Sequence, residues 1–297
     1  MTNEADCSQS QAIENEIADL EQRLRAAKAR LGHPPSEAIT ASTPPIELPH
    51  HDTLKPTATH FLFLLSDSAL PLGSFAFSSG LESYLAHSRP NSSFPSFLTY
   101  SLSSYASTTL PFVLAAHRNP EKLAELDDTL DASIMCTVGR RASVAQGRAL
   151  LSIWERSFSG AVSARPERSE AISQLKEFAL LLRNAASTTS GELPAASAHL
   201  GPLFGAIAFI VGLERQETAY VFMLSHVKAL LSAAVRASMF GPYHAQKVLA
   251  SVEVQEGIRD VIQREWNTKV EDAGQSVPVM DLWIGRHEML YSRIFNS

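Results

Sequence analysis

Catalytic equipment is scarce in this chain. Two cysteines, Cys7 and Cys136, occur in 297 residues. Far apart and outside any CxxC, they suit a reducing compartment better than a disulfide framework. No GxxxxGK(S/T) loop is present, which excludes a P-loop nucleotide hydrolase, and no GxGxxG follows a strand pattern. No GxSxG nucleophile elbow occurs. His287-Glu288 begins like a zincin motif, but Tyr291 stands where the second ligand is needed. None of the 10 histidines lies three or four residues from another, the spacing that brings two rings to one helix face. No catalytic residue, intrinsic metal site or cofactor is therefore expected, and a triad would have to come from distant segments. A net charge of −6 and the lack of a Lys/Arg run argue against a nucleic-acid partner. Apolar stretches such as 202–213 fall short of the about 20 residues of a membrane helix. No secretory pattern opens the chain. A cytoplasmic protein without a membrane or nucleic-acid partner is the expectation.

What is present is helical periodicity. Hydrophobic residues make up 45% of the chain, enough for a sizeable core. Ile13, Ile17, Leu20, Leu24, Ala27 and Leu31 form a short heptad seam. Residues 33–59 follow, with Pro34, Pro35, Pro44, Pro45, Pro49 and Pro56, and read as a flexible linker. His50-His51 within it makes a poor metal site. From residue 60 onward helical patterns run over 95–117, 120–134, 138–158, 167–186, 199–213, 214–239 and 243–266, with Pro202 and Pro242 near helix starts. The expected architecture is an all-α bundle of about nine or ten helices. Residues 1–59 are an N-terminal extension (amphipathic helix plus linker), and 60–297 the helical domain. Stretches 160–166 and 187–194 read as loops.

Two segments stand apart. Residues 61–87, FLFLLSDSALPLGSFAFSSGLESYLAH, interrupt apolar stretches with Asp67, six serines, Pro71, Gly73 and Gly80. Phe61, Leu62, Leu64 and Leu65 read as one helical turn, Ser74 as an N-cap, and Phe75, Phe77, Leu81 and Leu85 as a resumed stripe. The polar turn can be a helix corner or a surface kept for a partner. At the C-terminus, Met280, Trp283, Ile284, His287, Tyr291 and Ile294 fall at three-to-four spacing, flanked by Asp281, Arg286, Glu288 and Arg293. Large apolar residues with Arg are common interface anchors. This tail can dock on its own bundle, or fold into a partner's groove as an amphipathic helix. Arg140, Arg141, Arg148 and Arg236 are the unusual cations, with Arg141 and Arg148 seven apart on one helix face and Arg236 inside the apolar 230–239.

Residues 61–87 closely resemble the first signature of the urease accessory protein UreF family, roughly "LSDSALPxGxFxxSxGLE". The stretch 141–151 resembles its "ASxxQGRxLL", 199–205 its "HxPxxFG", and 286–297 its terminal "HExLYSRLFxS". The chain departs from the pattern at Ser74, where a Gly often follows Gly73, and at Met239–Tyr243, in place of a "PLGQxxGQ" loop of which Gln246 remains. The resemblance implies an all-α homodimer that is not an enzyme and helps urease mature. It implies a bridge between a UreH/UreD-type accessory protein and the GTPase UreG, docking on apo-urease, with nickel and GTP handled by those partners. It assigns Arg286, His287, Glu288, Tyr291, Ser292, Arg293 and Phe295 to the UreH/UreD contact. Complex assembly or the GTPase face falls to Asp67, Ser68, Pro71, Gly73, Glu82, Arg141, Gln146, Arg148 and Arg236. The rival readings are a hydrolase or metalloenzyme assembled from distant helices, and an unrelated helical scaffold.

Overall fold

A computed structural model describes residues 16–26, 56–88, 90, 92–162, 166–187 and 196–296. The chain divides into two compact units, Met1–His51 and Asp52–Ser297. In the first, residues 16–26 form a helix, α1, supported by the i,i+4 pairs Arg23–Asp19 and Arg25–Glu21. Ile17, Leu20 and Leu24 of the seam lie exposed on it. The remaining seam residues, most of the proline-rich stretch and His50-His51 lie outside the described residues, as do 163–165 and 188–194 of the two loops.

The second unit is helical throughout its described residues: α2 (Pro56–Ser66), α3 (Leu81–Ser88), α4 (Phe94–Arg118), α5 (Leu123–Ser133), α6 (Thr137–Ile153), α7 (Pro166–Ser187), α8 (Leu200–Val211), α9 (Arg215–Arg236), α10 (Pro242–Leu249), α11 (Val252–Glu265) and α12 (Val279–Arg286). That is eleven described α-helices here, against the nine or ten expected. The expected 243–266 helix breaks at Ser251, whose extended backbone and side chain, accepting the Val254 N–H, cap a new helix. Helix α2 begins at Pro56, within the stretch read as linker, where a residue without an N–H is tolerated.

Helix α4 is the central post, packing on α8, α9, α11 and α5. It carries Pro111 in its interior. Proline cannot donate to the carbonyl four residues back. The Ser107 carbonyl so released accepts the Gly274 N–H at 3.1 Å, and the loop leading to α12 hangs from that point. Helix α8 is apolar on nearly every side and buried accordingly. It meets α4 and α6 at two glycines: a Cβ on Gly205 would lie 2.2 Å from the Val113 carbonyl oxygen, and one on Gly147 2.1 Å from that of Ala198. Only glycine admits such an approach.

Helix α9 starts with a reciprocal capping box between Glu214 and Glu217. It is long and apolar enough to cross a membrane, contrary to the reading that every apolar stretch falls short. Here it is a core helix, burying Val221, Phe222, Met223, Val227, Leu230 and Leu231.

Candidate functional site

The first and last signature segments meet. Glu82, on the first turn of α3, accepts three hydrogen bonds from the tail: His287 Nε2 at 2.8 Å, Ile294 N at 2.7 Å and Phe295 N at 3.3 Å. His287 is fully buried, and its Nδ1 has no partner. The Asn296 N–H donates to the Ala76 carbonyl at 2.8 Å. Arg236 places its guanidinium 4.4 Å from the Phe295 ring centroid and donates to the Phe75 carbonyl. Arg141 on α6 pairs with Glu288. Glu82, Arg141 and Arg236 thus surround the tail residues.

Helix α12 carries the tail to this place. Trp283 packs against Tyr84 at 4.8 Å and Phe97 at 6.0 Å between centroids, and Met280 is buried. The helix stops at Arg286, a 3-10 turn covers His287–Met289, and Leu290 is extended. The expected stripe therefore divides. Met280, His287 and Phe295 point into the bundle, while Met289, Tyr291 and Ile294 face outward, Tyr291 fully exposed. The tail docks on its own bundle and still displays an apolar edge.

The 61–87 corner differs from its expected form. Gly73, at a left-handed φ of 72°, occupies the capping position of a single 3-10 turn, Ser74–Ala76, and Ser74 caps nothing. Helix resumes only at Leu81, so Phe75 lies outside the stripe, 66% exposed beside the tail. Asp67, Ser68 and Pro71 occupy the exposed loop before it. There Asp67 Oδ1 accepts the Ala69 N–H at 2.9 Å, and Lys228 Nζ donates to the Ser66 carbonyl at 2.6 Å. Arg286, Ser292 and Arg293 are exposed.

The two middle segments also meet. His199, fully buried, bonds Ser143 Oγ through Nδ1 at 3.0 Å and donates from Nε2 to Asp131 at 2.8 Å. Arg140 completes the group with a two-pronged contact to Asp131. One turn earlier the buried Asp127 accepts the N–H groups of Ser197, Ala198 and His199 at 2.7, 3.0 and 2.6 Å. Arg148 Nε donates to the Ser197 carbonyl at 3.3 Å. Burial raises the Asp131 carboxyl, but hydrogen bonds from Arg140, His199 and Ser197 prevail and hold it at about 2. Ser143, His199 and Asp131 have the outline of a relay triad drawn from distant segments. The surroundings do not suit catalysis. Ser143 lies mid-helix, where its Oγ also receives the Leu200 N–H at 3.4 Å, and the neighbouring His199 N–H is spent on Asp127. The N–H groups of 199 and 200 are thus both engaged and do not form a donor pair for an oxyanion.

Ser143 and Gln146 border a cavity of about 260 Å³ between α4, α6, α9 and α12. Hydroxyls of Ser101, Ser104, Thr108 and Ser225 line it beside Phe204, Phe222 and Met280. His226 stacks on Tyr105 at 4.1 Å and bonds Ser101 Oγ at 2.9 Å. Burial lowers His226 to about 3, so the ring is neutral, and pushes the Tyr105 hydroxyl far above its usual value. Among the described residues no three His, Cys, Asp or Glu side chains are grouped as a metal site.

The sequence reading missed Asp127 and Asp131. A carboxylate at 127, inside the apolar stripe of Leu123, Leu126 and Leu130, was the available signal, because such a group must find donors indoors.

The UreF family model matches residues 89–253. A urease accessory protein UreF-like protein of Schizosaccharomyces pombe is 37% identical over 243 residues, covering 81% of this chain and 98% of its own length. The urease accessory protein F of Oryza sativa subsp. indica is 31% identical, covering 78% and 82%. The urease accessory protein UreF of Paenarthrobacter aurescens is 31% identical, covering 81% and 100%. With the family model spanning more than half of it and these relatives most of it, the chain belongs to the UreF family.

Proposed function

We propose that this chain is a urease maturation factor, a non-enzymatic, chaperone-like adaptor working in the cytoplasm as a homodimer. In this reading it bridges a UreH/UreD-type accessory protein and the GTPase UreG on apo-urease and modulates the GTPase. Nickel is cargo passed among these partners and GTP the GTPase's substrate; neither is a cofactor of this chain. Relatives named as urease accessory proteins support the urease role. The observation that carries the adaptor reading is the composite edge where the docked tail exposes Met289, Tyr291 and Ile294 next to Phe75. Exposed apolar side chains with Arg nearby are what an interface requires.

Co-purification with the UreH/UreD protein of the same source tests it. A cut after Pro278 would also remove the buried Met280, His287 and Phe295, so surface substitutions are the cleaner probe. Met289→Ala with Tyr291→Ala should abolish the complex, or weaken it about 100-fold, and leave the melting temperature unchanged. Equal capture of both chains would remove the tail from the interface. No capture by the unaltered chain would remove the adaptor reading itself.

A further inference from the structure

We infer that residues 13–31 pair with the same segment of a second copy of this chain, as an antiparallel two-helix coil. The direction of the pairing stands apart from the readings above; only its strength rests on the homodimer proposed there. The segment lies outside residues 89–253, which the family model matches, and outside the helical unit Asp52–Ser297. Every residue of α1 is exposed. Its seam residues Ile17, Leu20 and Leu24 are 51%, 55% and 55% exposed. A helix this short is marginal alone in water, and an uncovered apolar stripe adds nothing to hold it. In the sequence the same spacing continues to Ile13 on one side and to Ala27 and Leu31 on the other. Packing one such seam on another is what a four-three repeat suits. So short a seam holds weakly between free chains, and fits copies that a second contact already keeps close.

Charge selects the occupant and its direction. The first half of the segment holds Glu14, Glu16, Asp19 and Glu21 with no Lys or Arg; the second half holds Arg23, Arg25, Lys28 and Arg30 with no Asp or Glu. In a parallel pair, Glu16 would face Glu21 of the second copy and Arg23 would face its Lys28, like charge against like. In an antiparallel pair with Leu20 set on Leu24, Ile17 falls on Ala27 and Ile13 on Leu31, so the seam closes along its length. Glu14 then flanks Lys28 and Glu16 flanks Arg30, twice over by symmetry. At the midpoint Glu21 and Arg23 each meet their own counterpart, but Arg25 and Asp19 already pair them within the helix at 3.1 and 3.7 Å. An acidic start and a basic end also suit the dipole of a single helix, and the experiment separates the two effects.

Disulfide trapping on the full chain, with Cys7→Ser and Cys136→Ser, tests the pairing. Chains carrying Leu20→Cys and chains carrying Leu24→Cys, mixed before oxidation, should link to each other about tenfold faster than either links to itself, because like positions are offset by about 6 Å along the axis. A preference for self-links would mean a parallel pair and overturn the proposal. An absence of links would overturn it too, and is the result expected if α1 docks on its own bundle or on another protein. Glu14→Lys with Glu16→Lys should slow the mixed link about tenfold, and adding Lys28→Glu with Arg30→Glu should restore it. The dipole of a single helix predicts a further loss in the fourfold variant instead, and that result would also overturn the pairing. Light scattering decides the homodimer separately. A two-copy mass without mixed links keeps the homodimer and removes the pairing. Mixed links, with a one-copy mass once Leu20→Asp and Leu24→Asp break the seam, keep the pairing and remove a dimer contact made by the helical unit.

Discussion

Asp127 and Asp131 lie one turn apart on α5 and bear different loads. Asp127 takes three main-chain N–H groups and fixes the backbone before α8. Asp131 fixes side chains, bracketing His199 and Arg140. Its carboxyl is held at about 2 in the folded chain, below the usual value of 3.8. A depressed carboxyl stabilises above the unfolded pKa and loses that contribution as pH falls through the folded one. The contribution is about 2 kcal/mol, present in full above about pH 4 and gone below about pH 2. Asp131→Asn should therefore lower stability by about 2 kcal/mol at pH 7 and by little at pH 2, read from urea unfolding across that range. An equal loss at both pH values would rule out this assignment. At this scale the sequence was informative wherever residue type alone constrains use. It marked Arg236 as an unusual cation and His287 as part of the tail stripe, while Glu82 came only through the family resemblance. The contact of Glu82 with His287 was not legible, because the two are 205 positions apart and no local spacing rule pairs them.

The elements explain how two signature segments pack together through their buried faces. Gly147, in 141–151, lies against the backbone of 198–200, adjoining 199–205. At Gly147 the crossing has no room for a side chain. Gly147→Ala, which puts a methyl 2.1 Å from the Ala198 carbonyl oxygen, should cost about 1–3 kcal/mol in thermal unfolding, although alanine favours helix. A stabilised protein would show that α6 and α8 can part freely. Helix existence was read correctly from periodicity and proline placement, as with Pro242 at the first position of α10. Boundaries were less legible. The break at Ser251 depends on one side-chain hydrogen bond, and Pro111 sits unbroken inside α4 because the Gly274 N–H takes up its orphaned carbonyl. Both depend on contacts that local propensity does not contain.

At the scale of the molecule, the buried apolar clusters among the described residues lie between Phe61 and Phe295, within Asp52–Ser297. A chain beginning at Asp52 should accordingly unfold at the same urea midpoint as the full chain, with a single transition. A lower midpoint would mean that the first 51 residues contribute to the fold. The all-helical class was legible because no stretch alternates with period two. The cavity between α4, α6, α9 and α12 was not, since its lining comes from side chains scattered over some 210 positions.

The released carbonyl at Ser107 also has a mechanical meaning. The strand of chain from Gly274 to Asn296 is fastened at both ends, to α4 through Gly274 and to the corner through Glu82 and Ala76. Helix α12 is the stiff span between the two fasteners. Tension applied at the C-terminus would load the Glu82 end first, and only after that end had given way would the pull reach the longest helix of the bundle.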